Sequence, residues 1–126
     1  MENLLGKWGL FPWFIEDGEN KIYYQDLDAI KTLSPYCKVF YCEAIENDYI
    51  CLKYNRKVYR VKSDLFNIIN PPKFIFGEEA LIKNKHLCGF IEDIGWHYLK
   101  QEEFYKLNVN GKIKKTRYFS SELEKI

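Results

Sequence analysis

The sequence contains no apolar run approaching the roughly 20 residues that a membrane-spanning helix needs, so a helical membrane protein is excluded. Histidine is scarce, with only His86 and His97, and none of Cys37, Cys42, Cys51 and Cys88 forms a C-x-x-C pair. Without closely spaced ligand pairs, a zinc site is not expected. A pairing of His86 and Cys88, joined by the distant His97, offers too few ligands to count as a motif. No Gly-rich phosphate loop occurs, and no nucleophile stands at a recognisable spacing from a base, which removes the familiar hydrolase and nucleotide-binding signatures. No cofactor is expected. Charge of one sign is lacking too: 19 Lys and Arg face 18 Asp and Glu, and a net +1 supplies no field that draws the chain to nucleic acid or an anionic membrane. The N-terminal run MENLLGKWGLFPWFIEDGE has neither a basic lead nor a small-residue cleavage site, so it does not read as a secretory signal. Free thiols in a reducing cytoplasm are the expectation.

Aromatic residues, by contrast, are abundant. At 17% they are far too many for a disordered tail, and ten Tyr with nine Phe favour half-buried pleated surfaces. A chain of 126 residues holds one ordinary domain or two very small ones. Charge is unevenly spread. Residues 1–34 carry six carboxylates against three lysines, whereas Lys112, Lys114, Lys115 and Arg117 cluster near the end. Such a division suggests attraction within the fold or a polarised contact surface.

Along the chain, KWGLFPWFI (7–15) contains Pro12 and reads as extended, laying Trp8, Phe11, Trp13 and Phe14 over a core. EDGEN is a turn. Leu27, Ile30 and Leu33 recur at helical spacing, which predicts one short helix over 24–33. Asp26 and Asp28 sit at its favourable end, and Ser34-Pro35 stops it. Strands are predicted over 38–45, 49–54 and 57–62, with Asn55-Arg56 as a two-residue hairpin turn. Ser63 is placed to cap a single helical turn over 63–66. Pro71-Pro72 cannot continue a ladder and marks the boundary between residues 1–70 and 71–126.

The second half repeats this plan. Strands are predicted over 79–83, 87–99, 104–109 and 112–119. Bulges or close backbone approach are expected at Gly89 and Gly95, a hairpin at Asn110-Gly111, and a helical turn over 120–123. Aligning YICLKYNRKVYRVKSDL with FYKLNVNGKIKKTRYFSSEL matches Leu52 to Leu107, Asn55 to Asn110 and Lys57 to Lys112, and Ser-Asp-Leu to Ser-Glu-Leu. The second copy is then three residues longer before its closing turn. The fold expected is mainly β, a β-rich α+β arrangement of two SH3-like small barrels with one short N-terminal helix. Each alone would be marginal in size, so the two are expected to pack as one unit with the N-terminal aromatics between them.

GLFPWF followed by EDG, then SPYCKVF, GFIEDIGWHYL, FYKLNVNGK, RY and a final Ser-Glu-Leu together resemble a small bacterial family classed as a domain of unknown function. The resemblance covers about residues 9–123. It implies a compact bacterial protein with an SH3-like half and carries no assigned activity. Cys37 and Arg56 stand where glycine would ease the turns.

Three functional readings follow from the residues. The first is a non-catalytic binding protein, with Trp8, Phe11, Trp13, Trp96, His97 and Tyr98 as anchors for a protein partner. A toxin-neutralising immunity protein, or another factor of phage or inter-bacterial conflict, fits its size and charge by analogy. The second is a small nucleic-acid-binding barrel that grips phosphate with the basic hairpin 112–117, using Lys114, Lys115 and Arg117. In a merely structural role these same residues protect an edge strand. The third is an enzyme in which Asp93 and His97, sharing a strand face, act as a general-base pair. Against it stands a structural or solvated hydrogen bond between the two. No membrane partner is expected.

Overall fold

Runs rich in Val, Ile, Tyr and Phe alternate with turn residues along the whole chain, and each run becomes a short strand. The computed structural model describes residues 1–126 and contains eleven strands in two antiparallel sheets, with one seven-residue α-helix. The chain divides into two compact units, Met1–Pro71 and Pro72–Ile126. No helix is long and apolar enough to cross a membrane.

In the first unit, β1 (Trp8–Leu10), β2 (Val39–Glu46), β3 (Tyr49–Tyr54), β4 (Lys57–Val61) and β5 (Asn67–Ile69) pair in the order β4-β3-β2-β1-β5. The only α-helix, α1 (Leu27–Leu33), follows a 3-10 turn over Tyr24–Asp26 and buries Ile30 completely. Ser34 ends it in a left-handed conformation, with Pro35 beyond. Val39, Phe40, Ile50, Leu52 and Val61 form the sheet's share of the core.

The second unit contains β6 (Glu79–Ile82), β7 (Leu87–His97), β8 (Glu102–Val109), β9 (Lys112–Ile113), β10 (Tyr118–Phe119) and β11 (Leu123–Lys125). Its order is β10-β8-β7-β6-β11, with β9 also on β8. Phe74, Ile82, Ile91, Ile94, Tyr105, Leu107 and Leu123 fill its core.

Neither strand path closes. β4 does not pair with β5, nor β10 with β11, so the closed barrels expected from sequence are not formed. Closure needs tilt and stagger carried across long edge strands, and three of these four edges, β5, β10 and β11, are only two or three residues long.

The two sheets nevertheless share strand order, hairpin and bulge. Asn55 and Asn110 both turn their hairpins at left-handed φ, 55° and 52°. Arg56 stays out of that region, so glycine is not required there. Each sheet carries a bulge on the same rung, between Cys42 and Ala44 in β2 and between Ile91 and Asp93 in β7, with a glutamate as the extra residue. Before the last strand of each sheet stands a 3-10 turn, Ser63–Leu65 or Ser120–Glu122, followed by a buried Phe66 or Leu123. Ser63 therefore corresponds to Ser120, one position off the Ser-Asp-Leu to Ser-Glu-Leu match. It makes no side-chain cap.

Two residues separate Val58 from Val61, and four separate their counterparts Ile113 and Tyr118. The insertion is thus two residues rather than three. It breaks the strand expected over 112–119 at Lys114–Arg117.

Candidate functional site

The largest departure between the two sheets is the connection from the first strand to the second. It is a short turn over 83–86 in the second unit and residues 11–38 in the first. Within this long connection Trp13 Nε1–H donates to the Gly18 carbonyl at 2.9 Å. Phe14 N–H donates to Asp17 Oδ2 at 2.8 Å, and Asp17 N–H returns to the Phe14 carbonyl at 2.9 Å. The carboxylate of Asp17 thereby satisfies a backbone donor at the start of the 3-10 turn Ile15–Asp17. Gly18 adopts φ 104° and ψ 133°, a conformation open essentially to glycine alone. The WF-x-x-DG spacing is therefore a closed, cross-braced loop.

That loop holds Trp13 buried and leaves Phe14, Ile15 and, from the turn after α1, Tyr36 exposed by 50%, 47% and 39%. The Phe14 and Tyr36 rings lie 4.7 Å apart at 38°. With Trp13, Lys31, Ser34 and Pro35 they line a mostly apolar cleft of about 380 Å³. Its one cation, Lys31, pairs with Glu19 at 3.3 Å.

The connection is tied to the sheet at several points. Asp26 accepts from Arg60 Nε and backbone N–H, both at 2.9 Å, and from Nη2 at 3.2 Å. Those bonds raise the pKa of the guanidinium further, and Arg60 also stacks on Tyr23 at 4.1 Å. Asp26, expected to serve the helix end, is committed to this tether instead. Ile22 bridges Val61, Lys62 N–H donates to the Lys21 carbonyl at 2.7 Å, and Lys21 contacts Asp64. The lysine holds the Asp64 carboxyl below its usual range.

The residues singled out from sequence are dispersed. Phe11 and Trp13 are buried and are core side chains rather than surface anchors. Trp8 is half-buried against Tyr41, ring centroids 5.1 Å apart. Trp96 is half-buried opposite Glu103, and Tyr98 is half-buried in the following turn. His97 Nδ1 accepts the Lys100 N–H at 3.1 Å, and its ring meets Phe119 edge-on at 5.6 Å.

Asp93 and His97 do share a face, but four residue steps along the strand separate their backbones by about 13 Å. Phe104 occupies the place between, its ring 2.2 Å from where a Cβ on Gly95 would stand. They form no acid–base pair. His86 lies in a turn at φ 49°, outside the strand, so it shares no strand face with Cys88. No three His, Cys, Asp or Glu side chains gather to hold a metal.

All four cysteines are free. Cys51 is buried and donates to Glu46 Oε2 at 3.1 Å; burial, then the carboxylate, push its thiol up to about 12. Lys114, Lys115 and Arg117 are exposed, and the Arg117 guanidinium lies 4.6 Å over Phe104.

Sequence reasoning named Trp13 and Phe14 for their aromaticity but missed Ile15, Lys31, Pro35 and Tyr36. The signal available was the carboxylate three residues after Phe14 with glycine next, a capped turn that fixes where the preceding rings point. The model of a family of unknown function (DUF6960) matches residues 1–124. No curated protein and no solved structure matches the chain.

Proposed function

The chain belongs to that family of unknown function, so its role has to be read from its own surface, and we propose that it is a non-catalytic binding protein. Its cleft beside Phe14 and Tyr36 receives an apolar side chain of a protein partner. The carrying observation is the rigid presentation of Phe14, Ile15 and Tyr36. Phe14 and Ile15 stand half-exposed on a loop closed by three hydrogen bonds, with Tyr36 packed on Phe14 beside them, so a partner can cover this apolar surface with little ordering left to do. The cleft size falls in the usual range for a binding pocket, and its only charged lining group is Lys31. We also read the two units as open, SH3-like copies of one plan; their shared strand order, bulge and closing 3-10 turn support this.

Affinity capture from the native host tests the reading. The intact protein should retain a stoichiometric partner, and a Phe14→Ser/Tyr36→Ala variant with unchanged melting behaviour should lose it. Recovery of the protein alone, or equal recovery by both forms, would count against the cleft. A toxin as the retained partner is the outcome specific to an immunity role.

A second reading rests on the exposed loop Lys114–Arg117, which gathers the cations Lys114, Lys115 and Arg117 in one short segment. It requires single-stranded or duplex nucleic acid to bind at low salt, weakening steeply with salt and on neutralising Lys114, Lys115 and Arg117. No binding at low salt ends it.

A further inference from the structure

We infer that the segment received by the cleft is basic, a large apolar anchor flanked by Lys or Arg. The inference rests on the cleft reading above and adds the partner's chemistry. The wall formed by Ile15 continues directly into Glu16 and Asp17, both exposed, with exposed Glu19 just beyond Gly18. Lys31 is the only cation lining the cleft, and Glu19 already neutralises it. Asp17 uses Oδ2 to hold the Phe14 N–H, which leaves Oδ1 to accept a further donor. Glu16 is paired with no cation of the chain. Two exposed carboxylates without a partner cation therefore follow directly on Ile15 in the same turn. An acidic segment would meet repulsion there. A neutral one would gain the apolar contact alone, whereas a basic one gains that contact and complementary charge in the same pose. The lysines nearest in sequence do not change this balance, because Lys21 is engaged with Asp64 across the loop.

The test uses the full chain and three labelled peptides built around one Phe-Leu anchor, with Lys, Ser or Asp flanks, read by fluorescence anisotropy. A fourth peptide keeps the Lys flanks and replaces the anchor by Ala. The Lys-flanked anchor peptide should bind about tenfold tighter than the Ser-flanked one, and the Asp-flanked peptide should be the weakest. The advantage should shrink as salt rises from about 50 to about 500 mM, since exposed charges are screened over this range. It should also shrink in Glu16→Gln, an exposed position whose variant is checked by its melting curve. Equal binding of Lys- and Ser-flanked peptides, abolished in Phe14→Ser/Tyr36→Ala, overturns the basic preference and leaves the cleft standing. Binding of the Ala peptide as tightly as the anchored one shows charge attraction only and overturns the inference. Failure of all four, or binding indifferent to Phe14 and Tyr36, overturns the cleft reading with it.

Discussion

At the scale of single residues, two glycines decide geometry for different reasons. Gly18 supplies a conformation, φ 104°, that lets its carbonyl meet the Trp13 indole, and a Cβ there would lie 2.5 Å from Asn20 Oδ1. Gly18→Ala should cost about 1–3 kcal/mol, read as a lower urea midpoint followed by tryptophan fluorescence. An unchanged midpoint would mean the loop is not closed as described. Gly95 instead supplies space, since the Phe104 ring lies flat over it. Gly95→Ala should therefore be strongly destabilising, and Phe104→Ala should relieve much of that cost. The coupling in a double-mutant cycle should be on the order of 1–3 kcal/mol; simple additivity of the two changes would refute the contact. Close approach at Gly95 was legible from a glycine within a strand pattern. Its partner was not, because the bulge at Glu92 shifts the register by one and only the paired strand shows which ring crosses. The same limit governs Asp93 and His97. Alternation correctly puts them on one face, but the rise per residue keeps them apart.

Elements were more legible than their ends. The helix over 24–33, the two asparagine hairpins and most strands follow from periodicity and turn chemistry, whereas the closing serine turns aligned by letter are one position out. Burial sets the correct correspondence, placing Phe66 with Leu123, and burial cannot be read from Ser-Asp-Leu against Ser-Glu-Leu. The sheets also protect their edges differently. β4 is covered by residues 21–23 through Ile22 and the Tyr23 N–H to the Arg60 carbonyl at 2.9 Å, while the path ending at β10 carries lysines beside it. Asp26 holds that cover with three hydrogen bonds and a side chain only 15% exposed. Asp26→Ala should cost about 1–3 kcal/mol and speed hydrogen exchange at the Tyr23 and Lys62 amides; unaltered exchange there would show that the tether is dispensable. The two-residue insertion makes the opposite prediction. Deleting Lys115 and Thr116 should restore a continuous strand like β4 and change the urea midpoint by no more than about 1 kcal/mol of stability. A grossly unfolded product would mean the two sheets do not correspond as the pairing implies.

For the whole molecule, the mainly β character with one short helix was legible in the composition and patterning. The open sheets were not, because closure depends on edge strands whose lengths are set by where the 3-10 turns fall. The same burial that makes both cores raises proton-holding groups in each unit, Cys51 foremost in the first and Tyr105 in the second, and gives the chain an alkaline weakness. In the first unit Cys51, ordinarily 9.0, is raised to about 12 by burial and by Glu46. In the second, Tyr105, ordinarily 10.0, is raised by burial and by Glu103, which accepts its hydroxyl at 2.8 Å. Between the unfolded and folded values the native state keeps a proton that the unfolded chain releases, so stability must fall as pH rises. The contribution of Cys51 is complete below about pH 9 and is lost on the way to about 12; that of Tyr105 starts to fall above about 10. Urea midpoints at about pH 7, 9 and 10.5 should be level over the first interval and drop over the second. Cys51→Ala should lessen the drop in the first unit, leaving the slope from Cys42, Tyr59 and Tyr23, which burial also raises. Tyr105→Phe should lower the midpoint at every pH by leaving Glu103 and the Phe74 N–H without that hydroxyl, and should remove the second unit's alkaline slope. Slopes unchanged in both variants would place the proton release elsewhere.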